Sequence, residues 1–454
     1  MSGSARISAT PSGPRGYPLL GVFPTARRDP LGFFLDAART YGDVVGLPLG
    51  VRRLYLLSHP DHIRSVLQAD DGRFHKSPAA ERIRPLFGTS LTTVDGEAWR
   101  RRRHLIRPGF TPERLAAAVP IIVETTDVML HRWRELAEAN RPFDVFGEMT
   151  ELTRTIILRV LFGDVPDEEA RAVARAITIV AAHVNRGLWS LLGWLPRLPT
   201  PRQRHYERAV SVLDAFMSRR IAEGRRGGAE GALLSTLLDA RDGERGAGFD
   251  DTELRDELKA LFVAGHATTA SGLAWVWYLL SQNPGARRRL QREARAVLGT
   301  RRPSAPDLSD LQYTRLVTDE TLRLYPPTWI TARTTTDAVD VGAYRIPESA
   351  TVLLSPYVTH RDPRFWEDAE RFDPERFRHG SPARPRYAYF PFGGGPRACI
   401  GSAFALMEMQ LIVAMVAQRY DLALAPGRRV EPEPGTVLVP RGGLGMVLRS
   451  GETA

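Results

Sequence analysis

Between Asp95 and Leu324 apolar residues recur mostly at three- and four-residue spacing, the period that turns one face of an α-helix toward a core. This pattern predicts helices near residues 95–106, 112–139, 148–162, 167–187, 203–223, 250–281, 284–298 and 310–324. Gly163, Gly224 and the Asn283-Pro284 pair supply stops, because glycine relaxes a helix end and proline cannot continue one. The period changes on both flanks. Residues 44–49 and 53–57 alternate around Gly46 and Gly50 and read as short strands. His59-Pro60 then opens a helix, where proline is tolerated in the first turn. From Pro326 to Phe377 short runs broken by Pro, Gly and Asp replace the helical texture, with strands expected at 339–346 and 351–354. A last helix is expected at 402–418, and a final hairpin at 436–448 turning at Gly442-Gly443. Residues 225–231 read as a Gly/Arg loop between helices.

The fold class that follows is mainly α. Residues 1–16, rich in Ser, Gly and Pro, are expected to be disordered. No repeat or linker divides residues 17–454, which are expected to form one large domain. It should hold about a dozen helices and a smaller β-rich region built from both ends of the chain.

Charge narrows the function classes. There are 62 basic and 52 acidic residues, a net +10, and Lys76 and Lys259 are the only lysines. The charge is scattered, and its longest basic run, Arg100 to Arg103, lies inside one predicted helix. Nucleic-acid surfaces cluster charge and interleave it with aromatics, so nucleic acid is not an expected partner. A basic patch suited to an acidic protein stays compatible with this composition. No uncharged apolar run approaches membrane-spanning length, and the N-terminus lacks a charged-then-apolar signal pattern. A cytoplasmic monomer without a membrane anchor is expected. One cysteine, Cys399, excludes an intrachain disulfide.

Cys399 lies in Phe392-Gly393-Gly394-Gly395-Pro396-Arg397-Ala398-Cys399-Ile400-Gly401. Consecutive glycines permit backbone conformations and close approaches denied to other residues. Such a loop can bring a sulfur against a flat cofactor, and the start of the following helix favours a thiolate. A buried free cysteine acting as a small apolar side chain is the alternative reading of the residue alone.

The whole decapeptide resembles the haem-binding loop of the cytochrome P-450 family, in its aromatic, its glycines, the Arg two before Cys and the Gly two after. The resemblance implies a soluble bacterial haem-thiolate monooxygenase with Cys399 as the axial metal ligand, pushing electron density onto iron. Phe392, Gly393 and Gly401 would belong to the cofactor loop, and Arg397 would contact a haem propionate. Further motifs follow in family order. Glu320 and Arg323, three apart on a helix, are alone no more than a surface pair. With the Phe372-Asp373-Pro374-Glu375-Arg376-Phe377 box they are similar to the family's E-x-x-R pair and P-E-R-F box. That likeness implies a buried Glu320–Arg323–Arg376 network serving folding and haem retention. Trp99 and Arg103, four apart on one helix face, and Arg333 match the family's propionate-binding residues.

The 261–269 segment, Leu-Phe-Val-Ala-Gly-His-Ala-Thr-Thr, is similar to the family's oxygen-activating helix. Ala264, Gly265 and Thr268 are the implied catalytic positions, although a helix Thr can also simply back-bond to its own turn. Where the family usually has an acid before the first threonine, this chain has Ala267. Protons must then come through ordered water, His266 or the substrate. His266 points about 100 degrees away around the helix, which favours a structural role. By family position the substrate pocket draws on loop 78–93, region 180–196, Leu261, Thr328, Trp329, Ile330 and Val437. The stripe Leu188, Trp189, Leu191, Leu192, Trp194 and Leu195 is either core or a lid over an apolar ligand.

The resemblance thus implies heme b (iron protoporphyrin IX) and O2 as co-substrate. Electrons would come indirectly from NAD(P)H through a ferredoxin-type donor. The substrate would be a hydrophobic terpenoid, polyketide or fatty-acid type molecule, undergoing hydroxylation or epoxidation as part of secondary metabolism. Two other readings stay open. One is peroxide-driven, dehydrating or oxidative-coupling chemistry at the same haem; the other is a non-catalytic haem or ligand-binding protein.

Overall fold

The computed structural model describes residues 10–50, 52–69, 72–188, 200–228, 232–243 and 246–450. Among them are fifteen α-helices and several small sheets, so the mainly α class holds with a few more helices than expected. No helix among the described residues is long and apolar enough to cross a membrane. The chain forms two compact units. One comprises Met1–Arg82, Leu322–Arg371 and His379–Cys399; the other comprises Ile83–Thr321, Phe372–Arg378 and Ile400–Ala454.

The first unit is built on a five-stranded sheet in the order Val44–Leu49, Arg52–Leu57, Thr351–Leu354, Thr331–Thr335, Phe74–Lys76. Only the pairing of Arg52–Leu57 with Thr351–Leu354 is parallel. Its apolar face packs Tyr55, Leu57, Val352 and Leu354 against Ile63, Val66 and Leu67 of helix Pro60–Leu67, and against Tyr387 and Phe390. Ser12 O accepts a hydrogen bond from Gly46 N at 2.9 Å. Residues 10–16, expected to fray, therefore include a backbone contact to the first strand; residues 1–9 lie outside the described residues.

Two strand expectations need correction. Residues 339–346 are not one strand but a tight hairpin, Val339–Val341 pairing with Tyr344–Ile346. Gly342 makes the turn with φ +58°, a conformation glycine adopts without steric cost. The final hairpin is also shorter and earlier, with Pro432–Pro434 paired to Leu438–Pro440. The chain does turn at Gly442 and Gly443, but Gly445–Ser450 pairs instead with Tyr420–Leu424 and Phe143–Asp144. Sequence alternation marks strands, whereas the partner is chosen by long-range packing.

The second unit centres on helix Asp251–Gln282. A capping box starts it: Glu253 N donates to Asp250 Oδ1 at 2.7 Å and Asp250 N donates to Glu253 Oε2 at 3.3 Å. Most of its circumference is buried, from Leu254 to Leu280. Helix Val145–Phe162 lies against it so closely at Gly265 that a Cβ there would sit 2.9 Å from Ile157. Ser271 and Trp275 both donate to Leu438 O, which fixes the last hairpin to this helix.

Helix Ser402–Arg419 is anchored at its far end by Asp127, a buried carboxylate of helix Pro112–Glu138. Asp127 accepts from Arg419 at 2.7 Å and also from Arg302. Burial alone would raise its pKa; hydrogen bonds and charge from Arg419 and Arg302 outweigh that and hold it below the ordinary value of 3.8. The carboxylate therefore stabilises the fold above that value and loses its contribution as pH falls through its lowered folded-state pKa. Asp127→Asn should destabilise the protein by about 1–3 kcal/mol at neutral pH, discounted because both arginines are partly exposed. Urea unfolding at neutral and acidic pH checks this, with the parent–variant gap closing in acid.

Candidate active site

In the first unit the cysteine loop is held by contacts that only glycines allow. Gly393 and Gly395 have φ of +70° and +65°. A Cβ at Gly395 would lie 1.9 Å from Leu67 O, and one at Gly394 would lie 2.3 Å from Tyr387 Cε1. The loop is therefore pressed onto helix Pro60–Leu67 and the sheet core. Its backbone closes on itself, with Gly393 N donating to Phe390 O and Cys399 N to Phe392 O, both at 2.9 Å. The outcome is an exposed Cys399, which is not the buried free cysteine of the alternative reading. The described helix Ser402–Arg419 begins three residues later, and Gly401 provides no side-chain cap for its first amides. Uncapped amides at a helix start favour an anion nearby.

Arg323 sits at the root of this arrangement, fully buried, on helix Gln312–Leu324. Its guanidinium donates to His360 O at 2.9 Å, Ala369 O at 2.6 Å and Arg371 O at 3.0 Å. His360 extends the line: its Nε2 accepts from Phe390 N at 2.9 Å, so the ring proton is on Nδ1, 3.2 Å from Arg323 O. Burial, then the Arg323 charge, push the His360 pKa well below 6.5, which keeps the ring neutral and this tautomer fixed. Arg323 thus reaches the cysteine loop through His360, a residue the sequence reading did not single out. In the second unit, Glu320 Oε1 accepts from Asp373 N at 2.8 Å and pairs with Arg376 Nε at 3.5 Å. Arg333 is half-buried, its Nη1 donating to Ala332 O at 2.9 Å.

The second unit supplies an open face on its central helix. Phe262, His266, Thr269 and Ala270 are buried, whereas Leu261 and Thr268 are half-buried and Ala264 is exposed. These last three lie on one stripe at helical spacing. Thr268 Oγ1 donates to Ala264 O at 2.8 Å, so the hydroxyl back-bonds to its own turn and retains an acceptor oxygen. His266 Nδ1 meets Phe262 O at 2.8 Å, and burial lowers its pKa to about 4. A neutral ring tied to its own helix is no replacement for the acid missing at Ala267. Trp99 is buried and Arg103 half-buried on helix Gly96–Ile106. Their neighbours Arg101 and Arg102 pair with Glu253, and Arg102 also with Glu257.

Among the expected pocket residues, Trp329 is buried with its ring 6.1 Å from Phe34, and its carbonyl accepts from Ser355 at 2.8 Å. Thr328 is exposed and Ile330 half-buried. Val437 is half-buried in the turn of the last hairpin, beside Thr436, whose backbone N donates to Asn185 Oδ1 at 2.8 Å. Trp189, Leu191, Leu192, Trp194 and Leu195 lie outside the described residues, as does the side chain of Leu188.

A second residue missed by the sequence reading is Glu408, fully buried on helix Ser402–Arg419. Among the described residues neither carboxyl oxygen has a well-formed hydrogen bond. Burial pushes its pKa well above the ordinary carboxylate range, with the Thr269 hydroxyl opposing this only partly. A glutamate within an apolar helix pattern carries no signal in the sequence that it will lie beside Thr269.

Comparison with known proteins agrees over nearly the whole chain. The family model for cytochrome P-450 matches residues 11–447. The chain is 38% identical over 433 residues to cyclooctat-9-en-7-ol 5-monooxygenase of Streptomyces melanosporofaciens, covering 94% of this chain and 91% of that protein. It is 36% identical over 428 residues to cyclooctatin synthase of the same organism, covering 93% and 92%. It is 32% identical over 433 residues to pentalenene oxygenase of Streptomyces avermitilis, covering 94% and 95%.

Glu408 keeps its proton when folded and ionises readily when unfolded, so rising pH favours the unfolded chain. Its contribution is greatest below the ordinary value of 4.5 and declines as pH climbs toward the raised folded value. The slope is at most about 1.4 kcal/mol per pH unit. Glu408→Gln should therefore gain stability over the parent as pH rises from about 4.5 toward the raised folded value in urea unfolding. Parallel curves for parent and variant across that range would mean the carboxyl is already ionised in the fold.

Proposed function

Because the chain belongs to the cytochrome P-450 family, we propose that it is a haem-thiolate monooxygenase that inserts one oxygen atom from O2 into a cyclic terpenoid. The family match makes it an oxidoreductase of the monooxygenase class. The observation that carries the haem-thiolate reading is the exposed Cys399 on a glycine loop pressed against Leu67 and Tyr387.

The residues present fit haem. An exposed thiol suits an iron ligand, and the open stripe of Leu261, Ala264 and Thr268 is mostly apolar, as a porphyrin face requires. Planar guanidinium groups suit carboxylates, so Arg103, Arg333 and Arg397, with Trp99, are assigned to the propionates. Phe392, Gly393 and Gly401 are assigned to the loop around the sulfur. Haem so held supplies oxygen activation, with thiolate donation favouring O–O cleavage.

The protein's own part is binding, orientation and proton control. Thr268 donates its proton to Ala264 O, which leaves its oxygen able to accept a hydrogen bond on the open face; donating there requires the hydroxyl to rotate away from that carbonyl. Ala267 has no proton to give and the buried His266 ring is tied to Phe262 O, so protons are assigned to water or to a polar group of the substrate at this open face. A cyclic terpenoid is supported by the relatives named for cyclooctat-9-en-7-ol and pentalenene, and by the apolar Leu261 and Ile330 among the expected pocket residues. Electrons are assigned to NAD(P)H through a separate ferredoxin and reductase. The net charge of +10 and the arginine in the cysteine loop suit an acidic donor.

The ferrous–CO complex of the parent should show the red-shifted Soret band of thiolate ligation, and Cys399→Ser should lose it. Cyclic terpenes should change the spin state on titration where fatty acids do not. Product formed with hydrogen peroxide but not with a ferredoxin system would replace this reading by the peroxide-driven one. Ala267→Glu should alter the ratio of product to NAD(P)H consumed, and an unchanged ratio would show that proton delivery does not involve this position.

A further inference from the structure

Among the described residues five large apolar side chains are exposed, and three of them share one five-residue turn of the first unit. These are Tyr17, Leu19 and Leu20, at 59%, 90% and 40% exposure. The turn is closed by Tyr17 N donating to Gly21 O and Gly21 N to Tyr17 O, both at 2.8 Å, and by Leu20 N donating to Pro18 O at 2.7 Å. It is fixed to strand Val44–Leu49, because Val22 N donates to Pro48 O at 2.8 Å. A Cβ at Gly21 would lie 2.1 Å from the same oxygen and 2.8 Å from Leu49 Cα. The turn is therefore a rigid support for apolar side chains that the core does not use.

Leu19 has φ +61°, a left-handed conformation that its Cβ disfavours. Burial does not compensate, since Leu19 is the most exposed of the five. A strained residue held by its surroundings points to a role outside folding.

The surrounding charge has one sign. Residues 10–28 and the hairpin strands at 44–57 contain no carboxylate, and they carry Arg15, Arg27, Arg28, Arg52 and Arg53, all exposed. Arg53 and Arg52 pair in register with Pro48 and Leu49, the residues the turn rests on. The nearest acid along the chain, Asp29, is spent on capping helix Pro30–Tyr41, accepting from Gly32 N at 3.0 Å.

We propose that Tyr17, Leu19 and Leu20 dock the protein reversibly on an anionic membrane surface, entering the interfacial layer while the five arginines meet lipid phosphates. Binding of this kind grows with the apolar area buried and with the attraction of basic residues to anionic lipid. The turn and its arginines supply both. Its backbone is fixed beforehand, so little ordering is lost on insertion. The contact is peripheral and needs no spanning helix, and it stands independently of the monooxygenase reading.

Flotation of the purified holoprotein with vesicles tests the proposal without turnover. The parent should float with vesicles of phosphatidylglycerol and phosphatidylcholine in equal parts, and less as salt rises from about 0.05 to about 0.5 M. Leu19→Gly suits the left-handed backbone and removes only an exposed side chain, so the fold is kept. It should weaken partitioning by about ten-fold or more. The double variant Arg27→Gln, Arg28→Gln should weaken it and flatten the salt dependence. A parent that stays unbound, or a Leu19→Gly variant that floats as well as the parent, overturns the docking surface. Equal flotation with phosphatidylcholine alone overturns the anionic partner. Sedimentation velocity separates the remaining occupant: self-association of the parent that Leu19→Gly abolishes would assign the turn to a second copy of this chain instead of lipid.

Discussion

A single hydrogen-bonded line, from Arg323 through His360 to Phe390, underlies the presentation of the cysteine. Arg323 gathers three carbonyls from the 360–371 segment, and His360 passes that order to the residue just ahead of the glycine loop. Every member is buried and each depends on the next. A charged His360 would lose its acceptor nitrogen, and burial beside a guanidinium prevents that charge. The glycines then complete what this line begins, since their missing side chains let the loop settle on Leu67 and Tyr387. An exposed sulfur in an otherwise packed region follows from these two constraints together.

The same economy governs the other buried charges. Glu320 meets Asp373 N and Arg376; Asp127 meets Arg302 and Arg419; Asp256 and Glu257 meet Lys259, Arg102 and two loop amides. In each case a charged group is taken out of water and given specific partners, which fixes direction more than it adds stability. Glu408 is the exception, and it responds by keeping its proton. The central helix therefore carries a neutral imidazole at His266 and an alanine where an acid is usual, and has beside it a carboxyl whose pKa burial raises.

Much of this was legible in the chain. Helical spacing set the long helices to within a few residues, as at Pro284–Leu298 and Asp167–Leu188, because a buried face must repeat at the helical period. The strands Val44–Leu49 and Thr351–Leu354 were visible for the analogous reason. The Cys399 decapeptide, Glu320, Arg323 and Arg376 were found through their likeness to the family's motifs, since Glu320 and Arg323 three apart on a helix would alone read as a surface pair. Helices such as Phe23–Arg28 and Ala79–Phe87 were not predicted; the first is too short to show a period, and the second contains Pro85.

By itself the sequence determined the long helices and most strands, the identity of the thiol and the absence of an acid at position 267, since these are written in local spacing and residue type. Only the tertiary structure decided which strand Gly445–Ser450 joins, that His360 links Arg323 to the cysteine loop, and that Asp256 and Glu257 hold the backbone at Thr89 and Leu91. Those contacts join residues up to about three hundred positions apart. Partner choice over such separations depends on burial and shape in the finished core, and no local pattern encodes it.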